Sequence, residues 1–382
     1  MRRLVALDMA ADARFLTALR RALDAGDAVL PVDQRLPARA KARLLAALRP
    51  AVVVSGDGDA AVLGDARPVE EGDAFVVATS GTTGEARGVV LTREAVAASA
   101  RAASTRLAVD PATDKWLCCL PPAHVGGLSV VTRALATGTP LEVQPCFDTA
   151  AVAAAAGRGA TLVSLVPTTC ARLGDGAALF RTIVLGGGPV PRARPQNAVV
   201  TYGMTETGSG VVYDGRPLDG VEIRVEADGE IAVRGPMLLR TYRPGADPKD
   251  ADGWFQTGDA GALSPEGRLE VFGRVADVIR TGGEFVWPGP VEAVLRTHPG
   301  VAEAVVVGAP DPEWGERVVA VVETTDAAPP TLAELRDLVR GELGPVAAPK
   351  ELVVVGTLPR TAIGKVRREV LKTTLAAGGI GR

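Results

Sequence analysis

Short apolar runs recur along the first half of the chain, at 51–54, 161–166, 182–185 and 198–201. Between them lie alanine- and arginine-rich stretches with helical spacing, such as 93–107 and 149–158. Runs too short for buried helices, alternating with helical stretches, predict α/β layering with mostly parallel strands. From Gly220 the texture changes. Segments 221–225, 229–234 and 269–272 alternate apolar with charged positions, the pattern of an antiparallel sheet with one wet face. A second change falls at 273–277. Beyond it 291–295 and 331–343 read as helices, 304–307 and 317–322 as strands, and 327–330 as a loop. The expectation is a large N-terminal α/β domain over 1–275, including a small antiparallel β subdomain. A small α+β domain over 276–382 follows it.

Composition narrows the function classes. The 382 residues are 47% apolar and 23% charged, ordinary for a globular chain, and the net charge of −3 gives no general attraction for nucleic acid or anionic lipid. No apolar run approaches the roughly 20 residues that span a bilayer. Residues 1–8 lose their apolar character too soon for a signal peptide, so a cytoplasmic location is expected. Cys118, Cys119, Cys146 and Cys170 form no metal or redox spacing and read as buried reduced thiols. His124 and His298 are too few for a histidine metal site, and no G-x-S-x-G is present. Arginine outnumbers lysine 36 to 6, which makes each lysine worth a look.

Chemistry concentrates in a few segments. The apolar run 74–78 leads into Thr79, Ser80, Gly81, Thr82, Thr83 and Gly84, a loop of hydroxyls and glycines suited to cradling a polyphosphate. Its spacing is not that of the GxxxxGK[ST] P-loop. Gly186, Gly187 and Gly188 follow the run 182–185 and permit close approach to a flat ligand. Tyr202, Thr205 and Glu206 follow the run 198–201, placing an aromatic face, a hydroxyl and a carboxylate at a strand's carboxyl end, where α/β sheets bind ligands. Asp259 reads as a carboxylate after a turn, suited to two vicinal hydroxyls or to capping that turn. Lys365 follows Gly364 ahead of a basic helix start.

In this order the segments from about Asp73 to Leu371 resemble the adenylate-forming superfamily of acyl-CoA synthetases, luciferases and peptide-synthetase adenylation domains. The resemblance rests on the hydroxyl/glycine loop, Tyr-Gly-Met-Thr-Glu, Thr-Gly-Asp, Gly-Arg-x-x-Asp, Gly-Gly-Glu and Pro-Arg-Thr-x-x-Gly-Lys. It implies ATP, Mg²⁺ and coenzyme A. Thr79 to Gly84 would hold the β- and γ-phosphates. Gly186 to Gly188 and Tyr202 would frame adenine, Thr205 would contact the α-phosphate, and Glu206 would help bind Mg²⁺. Asp259 and Arg274 would hold the ribose. Lys365 would bridge acyl carboxylate and phosphate, and Gly282 and Gly283 would lie on the thiol's path. The small domain would rotate about a boundary near Ala276 between the two half-reactions.

Segments 120–128 and 212–221, with the short region before the phosphate loop, are similar to the short actinobacterial-type o-succinylbenzoate–CoA ligases of menaquinone biosynthesis. His124 would then line the acyl pocket; a packing histidine is the alternative. A homodimer is common among such relatives. Three positions depart from the family: Ala86 and Arg87 stand where Pro and Lys are usual, and Ala276 replaces a charged hinge residue. Two other readings remain open, a ligase for another aryl or medium-chain acid and a nucleotide-binding regulator that has lost catalysis. Glu206, Asp259, Arg274 and Lys365 argue against the regulator.

Overall fold

The computed structural model describes residues 2–80, 86–190, 194–326, 328–360 and 366–376. Contacts divide the chain into two compact units. The first holds 1–223 and 233–256, the second 224–232 and 257–382. The boundary expected at 275/276 falls inside the second unit, in the single turn Val275–Asp277.

Two seven-stranded sheets build the first unit. One runs in the order Thr241–Arg243, Ala86–Thr92, Asp73–Ser80, Ala28–Pro31, Leu4–Asp8, Val52–Ser55, Ala60–Val62. Its centre is parallel, but Asp73–Ser80 turns back as an antiparallel hairpin into Ala86–Thr92, whose outer side is covered by Thr241–Arg243. A Cβ on Gly88 would stand 2.4 Å from Val76 on the neighbouring strand and 3.0 Å from Leu48, so a side chain there would force its neighbours to shift. The second sheet is closer to the pattern read from the apolar runs. Trp116–Cys118, Leu141–Val143, Leu162–Leu165, Thr182–Leu185 and Ala198–Gly203 are all parallel, and antiparallel Gly210–Tyr213 and then Arg216–Pro217 extend one side. All four residues of Leu162–Leu165 and of Thr182–Leu185 are buried, which explains the continuous apolar runs, since both faces are covered.

Several helices start on side-chain caps. Arg93–Arg106 starts on Thr92, whose hydroxyl accepts from the Ala95 amide at 3.1 Å. Thr149–Gly157 starts on Asp148, which accepts from the Ala151 amide at 2.8 Å. Three of the four cysteines are buried as expected, and burial pushes the Cys119 thiol up to about 12. Cys146 is exposed, contrary to the reading from sequence, because it follows the short strand Leu141–Val143 into a surface loop.

The antiparallel strands Glu222–Val225, Glu230–Arg234, Phe255–Leu263 and Leu269–Arg274 form one four-stranded sheet that belongs mostly to the second unit. The rest of that unit is α+β. In a long hairpin, Val301–Asp311 with Gly315–Thr324, the second strand also pairs with both Ile279–Thr281 and Glu351–Val355. Helices Pro288–Leu295 and Leu332–Leu343 pack through Val291, Leu295, Leu335 and Val339 into its core. Helix Arg368–Ala376 closes a second core through Leu371 and Leu375. Among the described residues no helix is long and apolar enough to cross a membrane.

Candidate active site

Most of the candidate residues lie at strand ends. In the hairpin of the first unit the pairing runs out to Thr79↔Arg87 and Ser80↔Ala86. Thr79 and Ser80 therefore belong to a strand rather than to the loop in which the sequence reading placed them. The ladder persists because both strands remain in register to their tips. Gly81, Thr82, Thr83 and Gly84 lie outside the described residues, as does Lys365.

Strands Thr182–Leu185 and Ala198–Gly203 are parallel neighbours, so Gly186 to Gly188 and the Tyr202–Glu206 segment leave the same end of one sheet. A Cβ on Gly186 would stand 2.4 Å from Thr201 Oγ1, which explains a glycine there. Tyr202 pairs with Val212, and the ladder shifts between Tyr202 and Gly203. The chain then makes a single 3₁₀ turn, Thr205–Thr207. Thr207 is fully buried and locks that turn: its Oγ1 accepts from the Met204 amide at 2.9 Å and donates to the Ser209 carbonyl at 2.6 Å.

Glu206 is held from two directions. Its carbonyl accepts from the Leu239 amide at 2.7 Å, and its Oε1 accepts from the Tyr242 hydroxyl at 3.0 Å. Arg87, in turn, places its guanidinium carbon 5.7 Å from the Tyr242 ring centroid. Tyr242 was not singled out from sequence. It stands 36 residues from Glu206, and no local pattern announces the contact.

Beneath this segment lies a buried polar cluster. Arg133 Nη2 donates to Ser209 Oγ at 3.1 Å and to the Tyr213 hydroxyl at 2.9 Å, and Ser99 and Ser209 hydroxyls are 3.0 Å apart. Arg133 is only 2% exposed, and its Nε and Nη1 have no hydrogen-bond partner among the described residues. Its guanidinium carbon stands 5.7 Å from the Trp116 ring centroid, so an aromatic face supplies part of the compensation for a buried charge.

His124 immediately precedes helix Val125–Thr137. Its Nε2 is 3.0 Å from Asp33 Oδ2 and 2.9 Å from Arg35 Nη2, while Arg35 itself forks onto Asp33 at 2.9 and 2.7 Å. One ring nitrogen can donate to Asp33 or accept from Arg35 but not both, so the tautomer selects the partner. Burial pushes the Asp33 carboxyl up. The hydrogen bonds from Arg35 and His124 outweigh it and hold the carboxyl well below the usual carboxylate range. His124 is thus oriented by Asp33 and Arg35, neither of which the sequence distinguished.

In the second unit Asp259 and Arg274 face one another across adjacent strands, with Arg274 Nε 3.0 Å from Asp259 Oδ1. Asp259 is a strand residue, not the post-turn carboxylate of the sequence reading. Gly258, at φ +70°, bends the strand locally without ending it, and its amide donates to Glu230 at 2.8 Å. Gly282 and Gly283, at φ +61° and +83°, form the two-residue turn between Ile279–Thr281 and Glu284–Val286. A Cβ on Gly282 would stand 2.8 Å from the Trp314 ring. The segment containing Lys365 is flanked by the bridge Arg360↔Val366. Asp277 accepts from Lys372 at 3.2 Å and lies 3.6 Å from Arg368.

The first unit can thus offer hydroxyls and amides to phosphate and one carboxylate to a cation. The second offers a carboxylate and a guanidinium to vicinal hydroxyls. Among the described residues no group of three or more His, Cys, Asp or Glu side chains could cage a metal. A single oriented carboxylate fits Mg²⁺, which keeps most of its waters and takes further oxygens from a nucleotide's phosphates.

Residues 62–243 match the AMP-binding enzyme family and 290–365 match the AMP-binding enzyme C-terminal domain. The chain is 43% identical over 356 residues to a probable 2-succinylbenzoate–CoA ligase of Mycobacterium tuberculosis, covering 86% of this chain and 92% of the relative. It is 36% identical over 330 residues to the 2-succinylbenzoate–CoA ligase of Listeria monocytogenes, with coverage of 78% and 69%. In three dimensions it is similar to o-succinylbenzoate CoA synthetase of Bacillus subtilis in complex with its acyl-adenylate intermediate. The TM-score is 0.84 at 28% identity, covering 97% of this chain and 89% of that one.

Proposed function

This chain belongs to the AMP-binding enzyme family, and on that premise we propose that it is an ATP-dependent o-succinylbenzoate–CoA ligase acting through an acyl-adenylate. The observation that carries the substrate is the likeness to the Mycobacterium tuberculosis ligase along nearly its whole length. The reading places the enzyme in menaquinone biosynthesis and in the cytoplasm, with a homodimer as its expected assembly.

The chemistry accounts for the residue types. A carboxylate is a poor acyl donor because its charge and its oxide leaving group keep the carbon weakly electrophilic. In the first half-reaction a carboxylate oxygen of the acid attacks the α-phosphorus of ATP. The α–β phosphoanhydride bond breaks, and pyrophosphate leaves. In the second, the sulfur of coenzyme A attacks the acyl carbon, AMP leaves with the bonding pair, and the thiol proton passes to solvent. Two anions meet in the first step, so its demand is for preorganised positive charge.

Within this reading Thr79 to Gly84 cradle the β- and γ-phosphates. Gly186 to Gly188 and Tyr202 frame adenine, and Thr205 meets the α-phosphate. Asp259 and Arg274 hold the ribose hydroxyls. Glu206 is the protein's ligand to Mg²⁺, which when bound neutralises charge on the phosphates. Lys365 neutralises charge as acid and α-phosphate approach. His124, oriented by Asp33 and Arg35, lines the acyl pocket. Gly282 and Gly283 border the thiol's path, and residues 276–382 act as the moving part, pivoting near Ala276 between half-reactions.

The test is direct. Purified protein supplied with o-succinylbenzoate, ATP, Mg²⁺ and CoA should yield the thioester with AMP and pyrophosphate in equal amounts. ADP and phosphate in their place would refute adenylation. Preference for benzoate or a fatty acid would keep the mechanism and sink the substrate.

A further inference from the structure

We infer that Tyr242 is a positioning residue for Glu206, tying that carboxylate to the cation at the end of the phosphate-loop hairpin. The inference rests on the proposed role of Glu206 as a metal ligand.

Three observations carry it. The Tyr242 hydroxyl donates to Glu206 Oε1 at 3.0 Å. The Arg87 guanidinium carbon stands 5.7 Å from the centre of the same ring. The register explains how one tyrosine meets both: Tyr242 pairs with Val89 across adjacent antiparallel strands, so Arg87, two residues before Val89, is its diagonal neighbour on the same face. The tyrosine comes from a strand far along the chain that joins the hairpin as its outer partner, and its hydroxyl reaches the turn Thr205–Thr207.

The arrangement has a chemical consequence. A glutamate side chain on an open turn has three rotatable bonds and must be ordered to serve a cation. A phenol donating to Oε1 restrains the rotation of the carboxylate, which would then meet a cation already partly ordered. A cation over the ring face draws electron density from the phenol and makes its O–H a stronger donor. Arg87 thus acts on Glu206 through Tyr242. Its charge is engaged with an aromatic face. Hydrogen-bond partners behind a metal ligand commonly set metal affinity by about 10- to 100-fold.

The experiment is titration of Mn²⁺ into the ATP-bound protein without acid, followed by electron paramagnetic resonance so that no turnover is needed. Tyr242→Phe keeps the ring and loses the hydroxyl. It should weaken Mn²⁺ binding about 10-fold while leaving the melting temperature and AMP affinity near those of the parent. Thioester formation from supplied acyl-adenylate should also be unchanged. Arg87→Met should give a smaller loss in the same direction, and it decides the matter if Tyr242→Phe fails to fold. Parental Mn²⁺ affinity in the folded Tyr242→Phe protein, with loss in Glu206→Gln, would overturn the positioning role. Unchanged affinity in Glu206→Gln would instead refute Glu206 as the ligand, and with it the basis of the inference.

Discussion

Lys372 Nζ donates to Asp277 Oδ1 at 3.2 Å across 95 residues of chain. Arg368, one turn earlier on the same helix, lies 3.6 Å from the other Asp277 oxygen and also forks onto the buried Glu292. The helix that follows the Lys365 segment therefore holds the turn at which the pivot is proposed. Burial pulls the Lys372 ammonium down, but the hydrogen bond to Asp277 more than offsets this and leaves it above its ordinary value of 10.5. A base raised by folding contributes stability that is complete below its unfolded value and disappears as pH rises through the folded one. Lys372→Met should cost about 0.5–1 kcal/mol at neutral pH, since the pair is partly exposed. The deficit, read as melting temperature against pH, should close above pH 10.5. A deficit that persisted there would assign the loss to packing rather than to the ion pair.

The Asp33–His124 contact makes a separate prediction. Asp33→Asn keeps the shape and weakens the grip on His124, so KM for the acid should rise several-fold while ATP affinity stays constant. The depressed carboxyl also contributes stability present above the unfolded value of about 3.9 and lost as pH falls below it. Acid unfolding of Asp33→Asn should therefore begin from a lower stability at pH 6 and show a shallower slope below pH 4. A parallel shift of the whole curve would argue against the carboxylate as the source.

Lys365 and Gly283 should separate the half-reactions. Lys365→Ala should slow adenylation by roughly 10²–10³, the scale for losing one preorganised electrostatic donor. With synthetic acyl-adenylate and CoA it should make thioester at close to the parental rate. Gly283→Ala forces a side chain into φ +83° with open space around it, so its cost is backbone strain of about 1–2 kcal/mol in the turn. It should slow the thiol step and spare adenylation. Equal slowing of both steps in either variant would contradict the alternation.

Tyr213→Phe should destabilise the first unit by about 1–3 kcal/mol, because it removes an acceptor from a buried guanidinium. Adding Arg133→Met removes the charge that was left wanting, so the double variant should be more stable than Tyr213→Phe alone. Additive losses, measured by chemical denaturation, would show that Arg133 is well compensated without the tyrosine.

Element type was legible where one physical cause dominated. Strand Thr182–Leu185 coincides with its apolar run because both faces are buried, and helix Arg93–Arg106 ends one residue short of its predicted limit. Thr79 and Ser80 misled because hydroxyls between an apolar run and glycines read as loop, although continued ladder pairing made them strand. Asp259 misled in a similar way, since Gly258 suggested a turn that the partner strand overrides. The motif residues could be named because their spacing is local. Tyr242, Asp33, Arg35 and Arg133 could not, because each acts on a partner brought near only by tertiary folding.

The placement of Thr241–Arg243 also governs the order in which the molecule can be made. This strand covers the outer side of Ala86–Thr92, and buried Arg243 ties it down by donating to the carbonyls of Leu48, Arg49 and Pro68. A ribosome must therefore translate some 150 residues beyond the hairpin before that valine-containing edge is sealed. Until then the nascent chain carries an open β-edge competent to pair with a neighbour. Premature termination anywhere between the hairpin and Thr241 should give an aggregating product, not a small soluble domain.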